Sequence, residues 1–411
     1  MMQKYLWIQI FVLLSSFSFS VETDYASIFS FGDSFSDTGN IVLIYGPART
    51  DLVMTKPPYG MTFFDHPSGR LSDGRLIIDF IAQALGLPLL PPSFAANRSF
   101  EHGANFATAG GTALDRAFFV ANNFTVMSPF NISLGDQLGW LDGMKPSLCG
   151  GKPGGCEGYF SESLFFVGEL GWNDYSAVLL AGRGVDEARS LTPRVVGTIR
   201  AATQKLIDGG ARTVFVSGIT PMGCSSANLV LFAGSSEADY EPDTGCLRSL
   251  NQLSMEHNRQ LRHALAQLGG ARIIYGDFYT PLVELAATPR RFGIDGEEGA
   301  LRACCGSGGG LYNFEFNMSA QCGMAGVTVC GDPSAYVNWD GVHLTEAAYH
   351  HVADGWLRGP YANPPLLSSS VAAAGDEHLR WSSMAKFGYA PAIKTRPTNA
   401  VAALSTKPSS V

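Results

Sequence analysis

The sequence predicts one three-layer α/β/α domain built around a mostly parallel β-sheet. Three observations carry that expectation. Short β-rich apolar runs alternate with amphipathic stretches, the order that lays helices on both faces of a parallel sheet. Of the 411 residues, 46% are apolar and 16% charged, enough apolar content for a sizeable core. The 47 glycines and 22 prolines supply many turns rather than a few long helices. The same composition excludes a disordered, coiled-coil or collagen-like chain.

Each element follows from local pattern. Tyr25–Phe31 (YASIFSF) is a short β-rich run that leads into a Gly-Asp-Ser turn. Arg75–Leu85 carries apolar residues at helical spacing and stops at Gly86 and Pro88. Ser163–Val167 (SLFFV) reads as a buried strand. A helix over Pro193–Asp208, closed by Gly209-Gly210, precedes the strand Thr213–Val216. A long amphipathic helix over Cys246–Leu268 ends at Gly269-Gly270 and is followed by the strand Arg272–Tyr275. Leu344–Leu357 is the last helix.

The two ends of the chain differ from this domain. Lys4, the apolar run Tyr5–Leu14 and the small residues up to Ser20 form a secretory signal over residues 1–20, cleaved before Val21. That run is shorter than the ~20 residues of a spanning helix. The domain is expected over residues 21–360. Residues 361–411 are rich in Ser, Ala and Pro without sustained apolar periodicity, and are expected to be a mobile tail.

Export is consistent with two other features. All eight cysteines lie after the signal, and an even number can pair in an oxidising compartment. The expected pairs are Cys149–Cys156 and Cys224–Cys246, with Cys304 and Cys305 joined to Cys322 and Cys330 in an order left open. No CxxC spacing or nearby Cys/His quartet suits zinc. Asn97, Asn123, Asn131 and Asn317 each head an Asn-x-Ser/Thr glycosylation tripeptide. A formal charge of −8, from 28 basic and 36 acidic residues, argues against nucleic acid as a partner.

Four short segments carry the chemistry. Phe31–Asn40 (FGDSFSDTGN) follows the first strand, and ligands of open α/β sheets bind at the carboxyl ends of strands, so Ser34 faces a cleft. A serine hydroxyl needs a base to become a nucleophile. Asp340 and His343, in Trp339-Asp-Gly-Val-His343, stand three residues apart just before a helix. The carboxylate can hold imidazole Nδ1–H while Nε2 turns to Ser34. Acyl transfer also needs donors for a tetrahedral oxyanion. The N–H of Gly110 in Gly103–Thr112, the side-chain amide of Asn173 in Gly171-Trp-Asn-Asp174, and the Ser34 N–H supply three.

Together these segments closely resemble the four signature blocks of the GDSL esterase/lipase family, also called SGNH hydrolases, and most of all its secreted plant branch. Pro58-Tyr59-Gly60, Ser68–Arg75 and the Cys304-Cys305-Gly306 segment look like that branch too, and the likeness runs over about residues 25–358. One small departure is Ala109-Gly110-Gly111-Thr112, where Gly-Gly-Ala is common in the family. The resemblance implies a flavodoxin-like sheet, Ser34 as nucleophile, His343 as base, Asp340 as its orienter, and Ser34, Gly110 and Asn173 as oxyanion donors.

Absences sharpen this reading. Gly-x-Ser-x-Gly, Walker A, His-Glu-x-x-His and a strand-coupled Gly-x-Gly-x-x-Gly are all missing. The expected protein is a secreted, monomeric serine esterase that uses no metal or cofactor and acts on a small or polymer-attached ester. Its rivals are an acyltransferase working through the same acyl-enzyme and a binding protein of the same fold without turnover. Phe63–Phe64 and Phe118–Phe119 could line an acyl pocket, but such stretches are more often core.

Overall fold

The computed structural model describes residues 25–46, 52–124, 132–315 and 321–367. Five parallel strands form its centre: β1 Ser27–Phe31, β2 Gly103–Asn105, β3 Ser163–Val167, β4 Thr213–Ser217 and β5 Arg272–Gly276. The strands Cys305–Gly306 (β6) and Thr328–Val329 (β7) pair as a separate two-stranded ribbon, and Ala362–Asn363 (β8) adds an antiparallel edge to β5. The main sheet runs β2-β1-β3-β4-β5-β8, the flavodoxin-like order with one extra edge strand. Every residue of β1 and β3 is buried, as expected of strands covered on both faces.

Helices fill the outer layers. Those used below are α1 Asn40–Tyr45, α2 Ile77–Ala84, α3 Leu134–Cys149, α4 Trp172–Leu180, α5 Thr192–Asp208, α6 Arg248–Leu265, α7 Thr280–Ala287 and α8 Glu346–Arg358. Helices α5 and α6 pack side by side, and α2 packs on α8. Aromatic rings knit sheet to helix: Phe166 stacks on Phe215 with centroids 5.4 Å apart, and Phe215 meets Trp356 of α8 at 5.0 Å. No helix among the described residues is long and apolar enough to cross a membrane.

The boundaries move in instructive ways. The ordered fold continues past the expected limit at residue 360, because β8 pairs with β5 and Leu366 and Leu367 are buried. The helix expected over Cys246–Leu268 is shorter at both ends, since Cys246 N–H donates to Thr244 Oγ and Ala266 caps the C-terminus. Helix α3 has no counterpart in the sequence reading: Gly135, Gly139, Gly143 and Pro146 blur its amphipathic stripe. A capping box starts it regardless, with Ser133 and Asp136 satisfying each other's backbone N–H groups.

The disulfides are Cys149–Cys156, Cys224–Cys246, Cys304–Cys330 and Cys305–Cys322, so the last four cysteines pair in nested order. The expected signal peptide and nearly all of the expected tail lie outside the described residues.

Candidate active site

The order of the sheet reverses between β1 and β3, and a crevice opens where neighbouring crossovers leave in opposite directions. The turn after β1 carries Ser34, and the turn after β3 carries Asn173. Ser34 is 7% exposed. Its turn is built by its neighbours: the Asp33 carbonyl accepts from Ser36 N–H (3.1 Å) and Asp37 N–H (3.0 Å), and Asp33 Oδ1 accepts from Phe35 N–H (2.9 Å). Gln137 of α3, fully buried, clamps the residue where the strand ends. It accepts from Gly32 N–H at 2.9 Å and donates to the Gly32 carbonyl at 2.8 Å.

Asp340 and His343 form a closed local unit. Asp340 Oδ1 accepts from the N–H groups of Val342 (3.1 Å) and His343 (2.8 Å), while Oδ2 lies 2.8 Å from His343 Nδ1. Burial alone would raise the Asp340 carboxyl. The facing His343 charge and the hydrogen bonds from His343 and Tyr59 outweigh it and hold the group below its ordinary value. A carboxylate there makes Nδ1 the protonated ring nitrogen and leaves Nε2 as the basic one. Nε2 has no hydrogen-bond partner among the described residues. The ring stands against the Ser34 turn, 5.5 Å centroid to centroid from Phe35.

Asn173 ties the remaining segments together. Its Nδ2 donates to Asp33 Oδ2 at 3.0 Å and to the Gly111 carbonyl at 2.9 Å, which joins the Ser34 turn to the Gly110 loop. Gly110 has φ +77°, a conformation that favours glycine. A Cβ on Gly111 would come within 2.9 Å of the Gly32 and Thr108 carbonyl oxygens. Asp37 fixes this loop from below, because its carboxylate accepts from Gly39, Asn40 and Ile41 N–H groups and from Ala109 N–H at 2.8 Å. Asn40 donates to the carbonyls of Asn105 and Ala107, and Asn105 donates to that of Ser36.

Three carboxyls lie buried under the crevice. Desolvation raises Asp33 and Glu169 together, and for Glu169 the Asp33 charge adds to the rise. Asp174 is pushed up to about 7 by burial, although it accepts from the Ala113 and Leu114 N–H groups at 2.9 Å each. Those two bonds dock the segment after Gly111 onto α4.

Gln137, Asp33, Glu169 and Asp37 were missed as site residues, since their partners lie on distant segments. The Asp and Asn residues inside the first block were a usable signal; nothing in the sequence marks Gln137. The Ser68–Arg75 segment is structural: Arg70 grips Asp79 through Nε and Nη2 at 2.7 Å each, and Arg75 pairs with Glu346. Phe119 is core, while Phe63 and Phe64 lie beneath the guanidinium groups of Arg75 and Arg70. Asn97 and Asn123 are exposed, as glycosylation requires; Asn131 and Asn317 lie outside the described residues.

A doubly wound α/β protein of this topology, with these four blocks, is an ester hydrolase, and the comparisons with known proteins say which kind. The family model described as GDSL-like Lipase/Acylhydrolase matches residues 28–356, and the chain belongs to that family. Among its relatives is a GDSL esterase/lipase of Arabidopsis thaliana, 45% identical over 371 residues, which span 88% of this chain and 92% of the relative. A second from the same plant is 44% identical over 86% of this chain and 98% of its own length. A protein named sinapine esterase from Brassica napus is 43% identical over 85% of this chain and 90% of its own.

Proposed function

We propose that the protein is a secreted serine esterase that hydrolyses carboxylic esters in two steps. The observation that carries this reading is the Asp340–His343 pair: Nδ1 is held by the carboxylate, Nε2 is free, and the ring rests against the turn of Ser34. In the first step His343 Nε2 takes the Ser34 hydroxyl proton as the oxygen attacks the acyl carbonyl. The oxyanion is met by the backbone N–H groups of Ser34 and Gly110 and by the Asn173 amide. Collapse expels the alcohol, which receives its proton from His343. Water, deprotonated by the same nitrogen, then releases the acid and restores the serine.

Four disulfides within the fold support a site of action outside the cell, as does the apolar N-terminal segment read as an export signal. The relative named sinapine esterase adds sinapine to the esters to be assayed, beside phenolic esters, acetylated polysaccharides and lipids. Reaction with a fluorophosphonate probe, followed by peptide mapping, tests the reading. A single adduct on Ser34 with matching loss of esterase activity is expected; an adduct elsewhere, or none in an active preparation, contradicts it.

A further inference from the structure

Tyr59 is 1% exposed and lies 281 residues from the histidine pair in sequence, yet its hydroxyl donates to Asp340 Oδ2 at 2.9 Å. That is the oxygen 2.8 Å from His343 Nδ1. The other oxygen, Oδ1, lies slightly farther from the same nitrogen, at 3.0 Å, and accepts from two backbone N–H groups of the same loop. Resting on the reading of Ser34, Asp340 and His343 given above, we propose that Tyr59 is a positioning residue of this site, whose phenol fixes the Asp340 carboxylate and sets how strongly it grips His343.

The phenol is suited to that role. Burial, and then the charge of Asp340, raise it well above its ordinary value, so it stays a donor throughout the working range. Its ring packs edge-on against Trp339, with centroids 5.8 Å apart. Around it lie Leu52, Met54, Leu71 and the Cys305–Cys322 disulfide. A Cβ on Gly323, next to that disulfide, would touch the Tyr59 ring at 3.4 Å. The disulfide-bearing segment and the Pro58-Tyr59-Gly60 turn thus meet behind the acid–base pair and hold the hydroxyl in place.

The direction of the effect follows from charge. A hydrogen bond to Oδ2 draws electron density from the carboxylate oxygen nearer the imidazole. Without it the carboxylate would hold the imidazolium more tightly, and His343 would keep its proton to higher pH. Other titratable groups near the pair are Asp33, from the β1 turn, and Tyr349, from α8. Neither is hydrogen-bonded to Asp340 or to Tyr59.

The test is the Y59F variant, which retains the ring. His343 is titrated by NMR in the wild type and the variant, beside kcat/KM against pH on p-nitrophenyl acetate. The NMR midpoint is expected to rise by about 0.5–1 pH unit, a fraction of the full worth of one hydrogen bond to a charged group, because the phenol acts on the imidazole only through the carboxylate. The acid limb of kcat/KM should move with it, and the plateau kcat should fall about tenfold. Replacing Tyr59 with 3-fluorotyrosine, a stronger donor of nearly the same shape, should move the midpoint the other way. Unchanged midpoints in both variants overturn the proposal. The NMR shift does not depend on turnover, so a shift in a protein whose Ser34 is never acylated would refute the esterase site and leave the Tyr59 contact standing.

Discussion

The side-chain amide of Asn173 donates to Asp33 Oδ2 at 3.0 Å and to the Gly111 carbonyl at 2.9 Å, so both of its N–H groups are engaged. These bonds orient the amide between the Ser34 turn and the Gly110 loop. To serve an oxyanion it must exchange one of them, and the developing charge on the substrate oxygen makes that exchange favourable only in the transition state. Asn173→Ala should therefore lower kcat by about 10²–10³, roughly 3–4 kcal/mol, with little change in KM. Steady-state kinetics on a p-nitrophenyl ester check this.

Asp37 accepts four backbone N–H groups, and burial pushes its carboxyl up to about 6, so it is charged at neutral pH. In Asp37→Asn one side-chain oxygen becomes an amide that faces N–H donors it cannot accept. A loss of about 2–4 kcal/mol of stability is expected in urea unfolding. Because Ala109 N–H is one of the four, activity should fall at temperatures where the variant is still folded.

His257 sits beneath the third block. It is fully buried, its Nδ1 is bonded to the Tyr175 hydroxyl at 2.7 Å, and desolvation pushes its pKa down to about 3. The unfolded chain binds a proton near pH 6.5 and the folded one does not. Stability from this group is full above that pH and drains away as the pH falls toward 3. At pH 5 the loss is about 2 kcal/mol. His257→Gln should flatten this part of the unfolding midpoint plotted against pH. The same ring explains Gly171, where a Cβ would meet His257 Cε1 at 2.9 Å.

How far the sequence specifies this molecule depends on the range of its interactions. Strand β3 coincides with the apolar run Ser163–Val167, and helix α5 begins one residue before the stretch that ends at Asp208, because both depend on local pattern. Strand β2 does not announce itself. It is three residues long and starts at Gly103, where a Cβ would clash with the Ile28 carbonyl, so its strand character comes from its neighbours, β1 and the Pro91–Ser93 segment. The four blocks are legible because their chemistry resides in the residue types themselves. The clamp of Gln137 on Gly32 and the reach of Tyr59 to Asp340 span 105 and 281 residues, and only the folded topology brings those partners together.

The central claim is that Ser34 is the nucleophile, and Ser34→Ala tests it most directly. The measurement is kcat on p-nitrophenyl acetate for wild type and variant at matched fold and pH. A fall on the order of 10⁶ is predicted, as when a serine hydrolase loses its nucleophile. A variant that keeps wild-type turnover would contradict the account.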